Sequence, residues 1–235
     1  MVDDDPTPSR RERGKDARRG RIVLAAAALL REVAIDEMSV KMIADRADLS
    51  PATVYNLFGT KAAVLLKVYE HELLVFERSV AETGAADALE AIFGAVSLVA
   101  DFYRSDPRFY RATMSSRNAG LDPDMVMSAY QPRVAFWSKM VQSAVAEGLL
   151  VADASVERLG VLLIQISGGV LGHWGANIIS IDGLELETSY GFVCVLLPFA
   201  TDAARPQLLA RLRKLEAALE AEKGPLDPAM AGATG

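Results

Sequence analysis

The chain has 235 residues, 51% of them hydrophobic, which is enough for one medium or two small domains with a substantial core and excludes global disorder. A single cysteine, Cys194, excludes a disulfide framework and a multi-cysteine metal site, and it suits a reducing cytoplasm. The sequence lacks the HExxH, CxxC, GxSxG, GxGxxG and Walker motifs. We therefore expect no enzymatic activity, no cofactor and no metal.

The net charge of -6 hides an uneven distribution of charged residues along the chain. Residues 10–21 contain seven basic and two acidic residues, a net charge of +5, so the other 223 residues together carry -11. This asymmetry predicts a basic arm that binds a polyanion, attached to an acidic body. A solvated terminus without a partner would have the same composition. We expect residues 1–17 to be a disordered basic arm.

Helical spacing of apolar residues dominates the chain and predicts an all-α fold. A one-sided helix starts near Ile22. Two short helices follow, capped by Ser39 and Ser50 and separated by a break at Asp48, and Thr60 caps a longer helix over residues 61–82. Further helices are predicted over residues 87–103, 107–116, 125–147, 154–179, 185–200 and 205–222, with Asp153 as a cap and Asp182–Gly183 as a turn.

The stretch from Leu159 to Ile181 has 23 residues without a formal charge, which is long enough to span a bilayer. Its polar residues, its glycines at positions 168, 169, 172 and 175 and the missing basic flank favour a buried interface helix instead. The apolar run at residues 22–30 is similar to a secretion signal, but charged residues follow it at once. We therefore expect a cytoplasmic protein without a membrane partner.

Two short helices joined by a tight turn predict a helix-turn-helix, and the outer face of the second one suits DNA. That face presents Thr53, Tyr55 and Asn56, which are short or flat polar groups without a negative charge. Hydroxyl and amide groups can meet base edges and phosphates. The helix start at Ser50 directs backbone N–H groups toward an anion, and Lys61 adds a cation nearby.

Residues 20–68 resemble the DNA-binding domain of the TetR (tetracycline-repressor) family of transcriptional regulators. The resemblance lies in SVKMIA at residues 39–44, ADLS at 47–50 and TVYNLFGTK at 53–61, in this order and near the N-terminus. Four positions depart from the family pattern. Ala34 and Asp48 stand where glycines are usual, Leu57 replaces a histidine, and Ala62 replaces an acidic residue.

The resemblance implies a DNA-binding domain over residues 18–61, a helical ligand-binding and dimerisation domain over 62–222, and we expect a disordered tail over 223–235. Tyr55 and Lys61 would bind phosphate, and Thr53 and Asn56 would read bases. The residues expected to face double-stranded operator DNA, including three from the basic arm, are Lys41, Ser50, Thr53, Tyr55, Asn56, Lys61, Arg18, Arg19 and Arg21.

Aromatic residues and methionines cluster in the middle of the chain, a composition suited to an adaptable apolar pocket and equally to plain core packing. Three polar residues of a later helix are suited to contacts with an effector or to hydrogen bonds across a subunit interface. The residues expected to line the pocket are Phe102, Tyr103, Tyr110, Met114, Met127, Tyr130, Trp137, Gln165, His173 and Asn177.

Glycines at positions 168, 169, 172 and 175 weaken a helix unless another helix approaches closely, which favours a homodimer seam. A two-fold dimer would place its recognition helices about 34–36 Å apart, one turn of B-DNA. We therefore expect a ligand-responsive regulator, a repressor released from palindromic DNA by a small hydrophobic or aromatic effector. The alternatives are a helical hydrophobe-binding protein without DNA activity and a small enzyme that uses Asp101, Asp106 or His173.

Overall fold

The computed structural model describes residues 9–118 and 123–222, apart from the side chains of residues 113–118, 123–126, 128 and 129. Within these ranges the protein is all-α, as predicted, and contains no strand beyond one isolated bridge. The helices are α1 (Arg10–Glu32), α2 (Val40–Arg46), α3 (Pro51–Phe58), α4 (Lys61–Glu82), α5 (Ala88–Ser105), α6 (Pro107–Asn118), α7 (Pro123–Ala146), α8 (Val156–Gly175), α9 (Ile181–Leu196) and α10 (Arg205–Glu222), with a 3-10 turn at Leu197–Phe199.

Contacts divide the chain into two compact units. Unit 1 comprises residues 1–74 and 107–129, and unit 2 comprises residues 75–106 and 130–235. This division differs from the predicted boundary after residue 61. The reason is that Val64 and Val68 of α4 and Phe109 of α6 are buried in the same apolar cluster as α1, α2 and α3.

The core of unit 1 forms because apolar residues recur on one side of α1 and meet the inner faces of the short helices. Ile22 and Ile43 are fully buried there, and so is Phe109, which comes from α6. Two contacts fasten α6 to the end of α1. The Arg31 guanidinium lies 4.0 Å from the centre of the Phe109 ring, and Arg108 donates a 2.8 Å hydrogen bond to the Glu32 carbonyl.

The core of unit 2 is apolar and is held together by close helix approaches at two glycines. A Cβ atom at Gly160 of α8 would lie 2.2 Å from the Ser138 hydroxyl of α7. A Cβ atom at Gly191 of α9 would lie 2.7 Å from the Ile166 side chain of α8. These glycines therefore serve helix contacts within the subunit.

The N-terminal segment is helical where we predicted disorder. Helix α1 starts at Arg10, with Ser9 as its N-cap. The Ser9 hydroxyl accepts from the Glu12 backbone N–H (3.2 Å), and the Glu12 carboxylate accepts from the Ser9 N–H (2.7 Å), which completes a capping box. The prediction of disorder is thus wrong for residues 10–17. Residues 1–8 and the predicted tail, residues 223–235, lie outside the described residues.

Two helix starts near the C-terminus also differ from the prediction. Helix α9 begins at Ile181, because the Ser180 hydroxyl accepts from the Gly183 N–H at 2.8 Å, so the predicted turn at residues 182–183 is wrong. Helix α8 begins after Ser155, so Asp153 is not its cap, and it ends at Gly175, before Asn177 with φ 58°. Of the residues described, no helix has the length and apolar character required to cross a bilayer.

Candidate nucleic-acid interface

Helices α2 and α3 form a compact helix-turn-helix in unit 1. Asp48 carries the reversal in the turn with φ 52°, a left-handed conformation that aspartate tolerates better than most residues. The Leu49 N–H donates to the Ala44 carbonyl at 2.9 Å and closes the end of α2. The predicted break between the two helices is confirmed at the residue where the family pattern has glycine.

Serine caps make the two short helices possible. The Ser39 hydroxyl accepts from the Met42 N–H, and the Ser50 hydroxyl accepts from the Thr53 N–H, both at 3.2 Å. Each cap stabilises its helix by about 1 kcal/mol. Since α2 has only seven residues and α3 only eight, the caps fix where each helix begins.

The outer face of α3 is polar and accessible, as predicted. The Tyr55 side chain is 54% exposed, and Asn56 is exposed as well. Val54, the residue before Tyr55, is buried, and its burial fixes which side of α3 packs on the core. Thr53 is half-buried, and its hydroxyl lies 2.9 Å from the Ser50 hydroxyl. A base or phosphate that binds Thr53 would therefore share this hydroxyl with the cap.

Exposed basic side chains lie on the neighbouring helices of unit 1. Lys41 is exposed at the start of α2, and Arg18, Arg19 and Arg21 are exposed on α1. Arg19 is 3.7 Å from Asp16, so one of the predicted DNA contacts is partly neutralised by its neighbour.

A two-bond ion pair connects the ends of α1 and α2. The Arg46 guanidinium donates to both carboxylate oxygens of Glu32, at 2.9 and 2.5 Å. These hydrogen bonds hold the pKa of Glu32 below its ordinary value. The pair therefore contributes to stability above the ordinary carboxylate pKa, and this contribution is lost as the pH falls through the lowered value.

Lys61 occupies a different place from the one we predicted. Its ammonium donates hydrogen bonds to the Ile35 carbonyl (3.1 Å) and the Met38 carbonyl (3.0 Å), in the segment between α1 and α2. The side chain is half-buried. Lys61 thus fastens the segment between α1 and α2 to the start of α4. Part of the hydrogen-bonding capacity of its ammonium group is used within the protein and not at a phosphate.

This arrangement predicts that Lys61→Ala destabilises unit 1. Two hydrogen bonds from a charged donor are lost, so we expect the free energy of unfolding to fall by about 2 kcal/mol. Thermal melting followed by circular dichroism measures the effect. Lys41→Ala, which removes an exposed lysine of the same unit, is the control and should melt like the wild type. Equal melting of both variants would contradict the structural role of Lys61.

A row of basic side chains on α1 extends the core-facing side of the helix. Arg11, Lys15 and Arg18 are spaced by four and three residues and continue in register to Ile22, so the four share one side of α1. We call Arg11, Lys15 and Arg18 the basic stripe. Residues 10–21 form about 18 Å of helix on the N-terminal side of Ile22, the first buried residue of α1. All three side chains of the basic stripe are therefore exposed. The sequence pattern SRRE at residues 9–12 is a capping-box signature that predicts this helix start.

The residues predicted to line an effector pocket are divided between the two units. Tyr110, Met114 and Met127 belong to unit 1. The Tyr110 hydroxyl donates to the Glu72 carboxylate at 3.2 Å, and the Met127 side chain is 47% exposed. The side chain of Met114 lies outside the described residues.

The aromatic part of the predicted pocket belongs to unit 2, where its rings pack in pairs. Tyr103 stacks on Trp174 with ring centres 5.2 Å apart, and Trp137 is only 5% exposed. Phe102 and Tyr130 are half-buried. These positions suit both core packing and the wall of a cavity, the two readings left open by the sequence.

The polar part of the predicted pocket is on the outside of the subunit. Gln165 and His173 are exposed on α8, and Asn177 is exposed just beyond its end. An effector enclosed within unit 2 would require buried side chains at these positions. Their assignment to the pocket stays a prediction, beside the alternative of hydrogen bonds at a subunit interface.

The fold and the exposed face of α3 define a class, namely helix-turn-helix proteins whose N-terminal DNA-binding unit is joined to a larger helical domain. The model of "Bacterial regulatory proteins, tetR family" matches residues 22–68. A comparison with curated proteins found no significant match. Residues 22–68 are therefore similar to the DNA-binding domain of the TetR family.

Solved structures with the same fold cover most of the chain. FadR of Thermus thermophilus, a TetR-family repressor in complex with lauroyl-CoA, is 22% identical with a TM-score of 0.65, over 78% of this chain and 95% of that one. A TetR regulator of Rhodococcus sp. RHA1 is 19% identical with a TM-score of 0.66, over 78% and 97%. SmeT, repressor of the Stenotrophomonas maltophilia efflux pump SmeDEF, is 20% identical with a TM-score of 0.60, over 79% and 92%.

Proposed function

We propose that the protein is a ligand-responsive transcriptional repressor that binds palindromic operator DNA as a homodimer and is released by a small hydrophobic effector. The observation that carries this proposal is the outer face of α3. It exposes a phenol and an amide on a capped helix whose inner side is fixed by the core of unit 1. Such a face fits the major groove, where amides read base edges.

The acidic body does not prevent this function, because the basic charge is concentrated at α1. Residues 10–21 carry a net +5 on a preformed helix, whereas residues 62–235 contain 14 basic and 21 acidic residues. We expect α1 to contact phosphates electrostatically and α3 to contact the groove. The DNA-binding surface is then basic although the rest of the protein is acidic.

The direct test is binding of the purified full-length protein to DNA from upstream of its own gene, measured by fluorescence anisotropy at several salt concentrations. We expect tight, sequence-dependent binding whose affinity falls steeply with salt, because phosphate contacts release counterions. Binding no tighter than to unrelated DNA would overturn the proposal. Binding of apolar ligands without any DNA affinity would favour the alternative, a helical hydrophobe-binding protein.

The outer face of α8 supports the homodimer. Leu162, Gln165, Gly169, Gly172 and Ala176 follow an i, i+3, i+7, i+10, i+14 spacing and are all exposed. A Cβ atom at either of these two glycines would meet nothing within 4 Å in the subunit. Glycines that weaken a helix without any close contact inside their own subunit are explained by a helix that approaches from a second copy.

We expect Gly169→Glu to convert a dimer into a monomer, because the new carboxylates would meet across the two-fold axis in an apolar seam. The subunit itself should keep its stability, since the site is open and glutamate favours a helix. Light scattering after size-exclusion chromatography measures the mass. Gln142→Glu, which places the same side chain on exposed α7, is the control. A dimeric Gly169→Glu variant would exclude this face as the interface.

The proposed switch uses α4, a single helix with residues in both units. An effector that binds one conformation of unit 2 more tightly than another shifts the population, and α4 transmits the change to the spacing of the α3 helices in the dimer. FadR of Thermus thermophilus holds lauroyl-CoA. For this chain we propose an effector with an apolar portion, because the half-buried rings of Phe102 and Tyr130 offer apolar contacts in unit 2.

A further inference from the structure

The side chains of α3 point in distinct directions around the helix axis. Val54 is 1% exposed and marks the inner side of the helix. Successive residues of an α-helix are about 100° apart around its axis, so Ala52 and Asn56, two positions before and after Val54, each lie about 160° away from it. Both are exposed. These two side chains are therefore the part of α3 that points most directly away from the core of unit 1.

Thr53 and Tyr55 lie on the two flanks of α3. Each is next to Val54 in the sequence and therefore about 100° from it around the axis. The half-buried Thr53 has its hydroxyl 2.9 Å from the Ser50 hydroxyl, which also accepts from the Thr53 N–H. The flanks of a helix in a DNA groove face the walls of the groove, where the phosphates are. Both residues therefore suit phosphates better than bases, and the bases are left to Ala52 and Asn56.

The chemistry of this outward face favours one kind of base pair. Helix α3 contains no lysine, arginine, aspartate or glutamate. Guanine is read most often by arginine or lysine, and a carboxylate can accept from the amino group of cytosine. An asparagine amide can donate to N7 of adenine and accept from its N6 amino group, and an alanine methyl can pack on the C5-methyl group of thymine. Asn56 and Ala52 thus carry the groups that suit adenine and thymine.

The spacing of the two residues confines their contacts to a short stretch of DNA. Ala52 and Asn56 are four residues apart, which corresponds to about 6 Å along α3. Neighbouring base pairs of B-DNA are about 3.4 Å apart, so the two side chains reach bases within about two base-pair steps of each other. A single short A·T segment in each half-site would satisfy both contacts.

We propose that α3 selects A·T base pairs in each operator half-site. Asn56 holds an adenine with two hydrogen bonds, and the Ala52 methyl packs on the C5-methyl group of a thymine within about two base-pair steps. Ala52 carries no polar group, so it recognises its base through an apolar contact alone. This inference rests on the proposed function and deepens it, because it names the base pairs that the exposed face of α3 requires.

The first test removes only the thymine methyl groups from the DNA. DNA from upstream of the protein's own gene is amplified with deoxyuridine triphosphate in place of thymidine triphosphate, which keeps every base-pairing group. Fluorescence anisotropy at fixed salt compares the binding of both duplexes to the full-length wild-type protein. We expect the uracil duplex to bind roughly tenfold more weakly, because a dimer loses one apolar contact in each of two half-sites. Equal affinities would overturn the thymine contact.

Variants of Ala52 assign the methyl contact to this residue. Ala52→Gly should bind the two duplexes nearly equally, and the ratio is measured within one protein, so a general loss of helix stability affects both affinities alike. Ala210→Gly, at an exposed position of α10, is the control and should keep the wild-type ratio. If Ala52→Gly does not fold, Ala52→Ser replaces it and should lower the ratio, since a hydroxyl then lies beside the methyl group. A wild-type ratio in the folded variant would contradict the assignment.

The second test alters adenine in the same way. A duplex made with 7-deaza-deoxyadenosine triphosphate has a C–H group in place of the N7 acceptor. We expect the wild type to bind it about tenfold or more weakly, because the Asn56 amide N–H loses its acceptor in both half-sites. Asn56→Ala should bind the two duplexes nearly equally, whereas Gln142→Ala, on exposed α7, should discriminate like the wild type. Equal discrimination by Asn56→Ala and the wild type would contradict the adenine contact.

The unmodified duplex separates this inference from the proposed function. If the wild type binds its own upstream DNA more tightly than unrelated DNA but is indifferent to both base changes, the selection of A·T pairs is wrong and the regulator stands. If it binds its own upstream DNA no more tightly than unrelated DNA, the proposed function is wrong, and the selection of A·T pairs is overturned with it.

Discussion

Replacement of both Tyr55 and Asn56 by alanine is expected to weaken operator binding by at least about 30-fold. An amide that reads a base edge contributes about 1–3 kcal/mol, and a dimer makes the contact in each of two half-sites. The lower value gives about 2 kcal/mol per dimer, which corresponds to the 30-fold change. Loss of the Tyr55 phenol should also remove the phosphate contact that we propose for it. Fluorescence anisotropy at fixed salt measures the affinity.

The fold should tolerate this double replacement, because Tyr55 and Asn56 are exposed and the buried Val54 beside them is untouched. We expect the free energy of unfolding to change by less than about 0.5 kcal/mol for each replacement. Gln142→Ala removes an equivalent amide from an exposed position of α7 and should bind DNA like the wild type. Full affinity of the double variant would show that another surface contacts the operator.

Substitution of glutamine for all three residues of the basic stripe is expected to change the salt dependence of DNA binding. If Arg11, Lys15 and Arg18 each neutralise one phosphate, the slope of log affinity against log salt falls by roughly 3 for each subunit. At about 0.1 M salt the loss of affinity should be at least tenfold. Sequence preference should remain, because phosphate contacts do not read bases.

A matched control removes the same amount of charge elsewhere. Arg158→Gln, Arg213→Gln and Lys214→Gln combined change three exposed basic residues of unit 2. This variant alters the net charge as much as the stripe variant does, so it reports any general effect of charge. We expect it to leave the salt slope near that of the wild type. Equal slopes in the two variants would mean that the stripe makes no direct phosphate contact.

Features that depend on neighbouring residues were predictable from the sequence. Ser39 and Ser50 precede short helical patterns, and their hydroxyls reach a backbone N–H only three residues away. Asp48 tolerates the left-handed turn for a similarly local reason. The exposed face of α3 was also predictable, because the residues opposite the buried side of an amphipathic helix face the solvent.

Features that depend on distant residues were not predictable. The Lys61 ammonium bonds to carbonyls 26 and 23 residues earlier, and no local pattern indicates where those carbonyls lie. The exposure of Gln165 and His173 depends on which side of α8 the other helices cover, and a largely apolar helix does not reveal this. The high charge of residues 10–17 predicts disorder, whereas the capping box at Ser9 starts a helix there.

The inclusion of α6 in unit 1 matters for any experiment that moves the helix-turn-helix unit of this protein onto another scaffold. A fragment cut after α4 would lack Phe109, which is completely buried among the N-terminal helices, and would leave a hole at the centre of its core. A working chimera must therefore carry two separate stretches of chain, residues 1–74 and 107–129, into the recipient scaffold. An exchange of unit 1 between two proteins thus requires three junctions, after residues 74, 106 and 129. The first of these interrupts α4 and the last interrupts α7.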